Sequence, residues 1–97
     1  MMAAVISAAA MFAASDRRFK EDVEFAGTVN MNNFSIPLYR FRYKEWTGLP
    51  RDPMLGVMAD ELEPVLPEAV STDENGYKYV NYGKLVDAEV VAHDHLT

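Results

Sequence analysis

The opening fourteen residues limit what this chain can fold into more than any other stretch. Thirteen of them, Met1 to Ala14 with Ser7 the exception, are apolar and none is charged, so every charge lies in the 83 residues that follow. A helix that is apolar all round cannot bury its own surface and must be covered by something else. Crossing a bilayer takes about 20 apolar residues, which this stretch does not reach. A secretory signal needs a basic leading region, which Met1-Met2-Ala3-Ala4 lacks, although Ala13 and Ala14 imitate a cleavage site. Alanine combines high helix propensity with room for close backbone approach. The expectation is an apolar Ala-rich helix over residues 1–14, serving assembly or anchoring and buried by copies of itself, by a larger host protein or by lipid.

Residues 15–97 have the length of one small domain. Nine Lys or Arg against fifteen Asp or Glu leave a net charge of −6, which repels a phosphate backbone, so nucleic acid is not an expected partner. The chain has no cysteine, which removes disulfides, a thiol nucleophile and thiolate zinc sites. His93 and His95 are the sole imidazoles, whereas a metal centre recruits three or four ligands from a rigid scaffold. No metal site and no cofactor is expected.

Asp16 to Phe25 fits either a short helix or an alternating strand, and Gly27 with Asn30-Met31-Asn32-Asn33 breaks it. Tyr39, Phe41 and Tyr43 alternate with Arg40, Arg42 and Lys44, the pattern of a strand with an aromatic core face and a basic solvent face. Gly48 to Pro53 is a loop by composition, and Met54 to Ala59 a short buried strand. Acids from Asp60 onward suit a helix start, which Pro64 then limits. Asp73-Glu74-Asn75-Gly76 is a hairpin turn, a strand follows from Tyr77, and Leu85 to Val91 suits a closing helix. The expected class is α+β, a small antiparallel sheet with short helices behind the N-terminal helix.

Five motifs resemble one family in order. Ser15-Asp16-Arg17-Arg18-Phe19-Lys20 is similar to the Ser-Asp-x-Arg-Leu-Lys opening of the peptidase S74 domain, the intramolecular chaperone of bacteriophage tailspikes and tail fibres. The aromatic and basic strand Tyr39 to Tyr43 and the Gly-x-x-Ala-x-Glu element Gly56-Val57-Met58-Ala59-Asp60-Glu61 follow. The Pro-Glu-x-Val step is Pro67-Glu68-Ala69-Val70, and the Val-Asp-Tyr step appears as Val80-Asn81-Tyr82. Phe19, Asp60 and Asn81 depart from the usual Leu, Gln and Asp, and His93 to Thr97 replaces the family's long C-terminal helix.

This resemblance implies a trimerising domain that aligns fibre chains and cuts itself off. It implies a catalytic dyad of Ser15 and Lys20, supported by Asp16, with the scissile bond between Ala14 and Ser15. A serine hydroxyl needs a base, and lysine serves only as the neutral amine, so its pKa must fall from about 10.4. Arg17 and Arg18 push that way, and Glu21 and Asp22 oppose them. Residues five apart also face different ways in a helix or a strand, so the dyad needs a bend over Asp16 to Phe19. The alternative makes Ser15 or Asp16 an N-cap with Lys20 in solvent.

Only fourteen residues precede the domain, so the leading expectation is a structural and assembly module of a phage tail or tail-fibre complex. Its partners are its own copies, as a trimer, and other tail proteins. An active self-cleaving endopeptidase is the alternative, and membrane association through residues 1–14 a further one. The implied location is the virion tail, with synthesis in the bacterial host cytoplasm.

Overall fold

A computed structural model describes residues 12–93. Seven strands form two antiparallel sheets: β1 (Phe12–Ala14), β2 (Lys20–Asn30), β3 (Ser35–Tyr43), β4 (Met54–Gly56), β5 (Val70–Thr72), β6 (Lys78–Asn81) and β7 (Glu89–Ala92). The three-stranded sheet has the order β1-β6-β5 and the four-stranded sheet β4-β3-β2-β7. One four-residue α-helix, α1 (Ala59–Leu62), is present among the described residues, together with short 3-10 turns.

The expected α+β class is therefore corrected to a mostly β fold. Two segments account for the difference. The expected closing helix is a 3-10 turn over Tyr82–Leu85 followed by β7, whose Val90 and Val91 pair with Val29 and Thr28 of β2. Its β-branched residues fit a strand edge that lies far away in sequence. Of the expected N-terminal helix, residues 1–11 lie outside the described residues, and Phe12–Ala14 are a strand paired with Tyr79–Asn81 of β6. The leader's last residues thus belong to a sheet of the domain. Among the described residues no helix is long and apolar enough to cross a membrane. His95 and the rest of the tail also lie outside the described residues, while His93 packs edge-on against Phe25.

Other elements follow local chemistry. The β2–β3 hairpin turns over Met31–Phe34, and Asn30 pairs with Ser35. Asp73 Oδ1 accepts from the amides of Asn75 and Tyr77, and Gly76 takes a positive φ of 87°, which closes the β5–β6 turn. β2 continues through Gly27, where a bulge lets β7 approach so closely that a Cβ would meet the Val91 carbonyl oxygen.

The main core joins Val29, Ile36 and Leu38 of the larger sheet to Val57, Ala59 and Leu62 around α1 and to Val80, Tyr82 and Leu85. A second cluster holds Phe19, Phe41 and Tyr43, with Ala14, Tyr77 and Tyr79 packed against it. The junction between β1 and β2 lies against this second cluster, burying Ser15, Asp16, Phe19 and Lys20 while Arg17 and Arg18 stay exposed.

Candidate active site

The chain leaves β1 at Ala14, makes a 3-10 turn over Arg17–Phe19 and enters β2 at Lys20. That turn supplies the bend that a Ser15 and Lys20 pairing requires. Asp16 is its N-cap: Oδ1 accepts from the Arg18 amide at 3.0 Å, and Oδ2 accepts from the Lys78 amide at 2.9 Å. The Arg18 guanidinium adds two more hydrogen bonds at 2.8 Å. That guanidinium, helped by the two amides, holds the Asp16 carboxyl well below the usual carboxylate range. Asp16 thus ties the turn to β6.

Ser15 is 1% exposed and is held at three atoms. Its amide donates to Lys78 O at 3.2 Å, its carbonyl accepts from the Ala59 amide at 2.9 Å, and Oγ lies 3.2 Å from the Tyr82 hydroxyl. Tyr82 is oriented in turn, because its hydroxyl accepts the Val57 amide at 3.0 Å. The carbonyl of the same Val57 accepts from Lys20 Nζ at 2.8 Å. Among the described residues no hydrogen bond joins Ser15 to Lys20 directly; Val57 lies between the groups that touch them.

Lys20 is 4% exposed and not in solvent. Nζ sits 4.2 Å from the Phe41 ring centre, and no carboxylate forms a salt bridge to it among the described residues. Burial, then repulsion from Arg17, lowers its pKa from 10.5 to about 7. The opposing acids are Asp60 and Asp16, not the Glu21 and Asp22 that proximity in sequence suggests. An ordinary lysine would be about 0.03% neutral at pH 7, whereas this one is about half neutral there.

Reading the sequence for chemistry passes over Gly56, Tyr43 and Tyr82, though all three lie within the motifs quoted above. A Cβ at Gly56 would fall 2.9 Å from the Tyr82 hydroxyl and 3.2 Å from Phe41, so this glycine makes room for the Tyr82 contact. Three residues on, Ala59 supplies the amide that holds Ser15 O. Glu61 accepts from the Tyr39 hydroxyl at 3.0 Å and pairs with Arg17 at 3.4 Å. The Gly-x-x-Ala-x-Glu element is thus the wall that faces Ser15 to Lys20.

Residues 15–71 match the model of the Peptidase S74 family, described as the chaperone of endosialidase. The chain belongs to this family. The match starts at Ser15, where the uncharged leader ends. No curated protein and no solved structure matches the chain. Within this S74 domain the residues Ser15, Asp16 and Lys20 are all buried around one turn, with Tyr82 and Val57 between the first and the last.

Asp16 gives a signed pH prediction. Its native pKa lies below the unfolded value of 3.8, so its stabilisation is fully present above about pH 4 and is lost progressively as the pH falls from there through the depressed native pKa. Asp16→Ala is expected to lower stability by about 2–3 kcal/mol at pH 7 in urea unfolding, and by a smaller amount, about half, at pH 2.5, where the unfolded carboxyl is protonated and the folded one is still ionised. An equal loss at both pH values contradicts the assignment.

Proposed function

We propose that this chain is a self-processing chaperone domain that cuts its own Ala14–Ser15 bond and serves the assembly of a trimeric bacteriophage tail or tail-fibre complex. The observation that carries the chemistry is Lys20, a buried amine with no salt bridge among the described residues, whose pKa burial lowers to about 7 and which bonds the carbonyl of Val57, whose amide in turn bonds the Tyr82 hydroxyl beside Ser15. A lysine used only for solubility or a surface ion pair would stay in water.

The serine lies on the leaving side of the bond, so attack closes a small ring of Oγ, Cβ, Cα, N and the Ala14 carbonyl carbon. Oγ bonds to that carbon, its proton passes to the neutral Lys20 amine, and the carbonyl π pair moves onto oxygen. The C–N bond then breaks as the Ser15 nitrogen takes the proton back, leaving an ester between Ala14 and Ser15 Oγ. One water adds across the ester, restoring the Ser15 hydroxyl and giving an Ala14 carboxylate, whose proton passes to the newly freed Ser15 α-amine. Lys20 must leave Val57 O to receive the proton, and such bonds commonly tighten only in the reacting state. Self-cleavage, the alternative reading of the sequence, here becomes part of the same function as assembly.

Assembly is supported by the family's description and by large apolar side chains left in water on an acidic domain, Phe25, Trp46 and Val86 among them. The tail location and the trimer rest on the motif resemblance.

The full chain is expected to release residues 1–14 on incubation, read by mass spectrometry in denaturant because β1 stays paired with β6. The rate rises about tenfold per pH unit up to about pH 7 and then levels, since the neutral amine is the active form. Ser15→Ala and Lys20→Met abolish release. A wild type as intact as Ser15→Ala after days contradicts the cleavage. For assembly, sedimentation of the uncut Ser15→Ala chain is expected to give a trimer, and a monomer at every concentration contradicts it.

A further inference from the structure

We infer that Tyr43 is a catalytic residue whose hydroxyl stabilises the negative charge that develops on the Ala14 carbonyl oxygen as the Ala14–Ser15 bond is cut. This assignment rests on the self-cleavage proposed above and adds to it the group that activates the carbonyl.

Tyr43 Oη donates to Ala14 O at 2.8 Å, across a sequence distance of 29 residues. The scissile amide is therefore fixed at both ends, since its N–H donates to Lys78 O. The carbonyl is met by a side-chain hydroxyl at the one place in β1 where a bond would break. The second nearby hydroxyl, that of Tyr82, is engaged at Ser15 Oγ, so the two tyrosines serve different atoms of the reaction.

The sheet delivers Tyr43 together with the base. Lys20, the first residue of β2, is the register partner of Tyr43, the last residue of β3. Residues opposite each other in an antiparallel pair present their side chains on the same face. Phe41, two residues earlier on that face, lies under Lys20 Nζ and packs edge-on to the Tyr43 ring at 5.1 Å. One strand pair thus carries both the proton acceptor and the hydrogen-bond donor on one face.

The hydroxyl also stays a donor where it is needed. Burial, then the neighbouring Tyr82, pushes the Tyr43 pKa up to about 12, so the phenol is protonated throughout the range in which Lys20 becomes neutral. A hydrogen bond from a neutral donor strengthens as its acceptor gains charge, which favours the tetrahedral state over the amide.

Tyr43→Phe removes the hydroxyl alone and is expected to slow release of residues 1–14 by about 100- to 1000-fold, with the pH midpoint still near 7. Site-specific fluorotyrosines at position 43 keep the ring's shape and make the phenol a stronger donor. They are expected to speed release in the order of their acidity. Unchanged rates in Tyr43→Phe and across the fluorotyrosines overturn the role of Tyr43 and leave self-cleavage standing. A wild type that stays as intact as Ser15→Ala overturns both. Should Tyr43→Phe fail to fold, the fluorotyrosine series decides alone, and a rate independent of phenol acidity overturns the assignment.

Discussion

An ammonium group taken out of water without a counter-charge is among the least favourable things a small domain can contain. Lys20 is such a group: a backbone carbonyl and the face of an aromatic ring are what it meets. The fold responds by favouring the neutral amine, and much of the surrounding architecture follows from keeping that amine dry. Phe41 and the Val57 strand end close over it, and the Arg17–Phe19 turn starts β2 on the inward face. The same burial that makes Lys20 a poor stabiliser of the fold makes it a base at neutral pH.

The rest of the site is a set of clamps on the chain segment that precedes this lysine. Asp16 bonds β6 through the Lys78 amide, Ser15 bonds the amide at the start of α1, and Ala14 bonds the Tyr43 hydroxyl. Each contact joins residues far apart in sequence, so the bond between Ala14 and Ser15 takes its geometry only when both sheets are in place. In the self-cleavage proposed here, chemistry would then wait on folding. A domain of the chaperone-of-endosialidase family that cuts only once folded would tie processing to completed structure.

Patterns governed by local chemistry were legible in the sequence. The aromatic alternation at Tyr39, Phe41 and Tyr43 is strand β3, and Asp73 to Gly76 is a turn held by the Asp73 carboxylate. The composition boundary at Ser15 is where the family match begins. Helix expectations failed where pairing over long distances decided the outcome. Leu85 to Val91 has apolar spacing that suits a helix, yet β2 offers an open edge to Val90 and Val91. Helix α1 does form where acids favour it, but it ends after four residues, ahead of Pro64. The hydroxyl contacts of Tyr43 and Tyr82 were hidden because their rings satisfy the core pattern. Only the three-dimensional placement of Ala14 and Ser15 reveals what their oxygens touch. The acids that act on Lys20 were likewise misread: Asp60 comes from α1, far away in sequence, and Asp16 from the start of the turn and not from the residues after Lys20.

The proposed chemistry needs Lys20 to titrate near pH 7, and a direct titration tests this. In the uncut Ser15→Ala chain, the Lys20 side-chain ¹³Cε and ¹⁵Nζ resonances can be followed by NMR from pH 5 to 11. A midpoint near 7 is expected. A midpoint near 10.5, the ordinary lysine value, would contradict it.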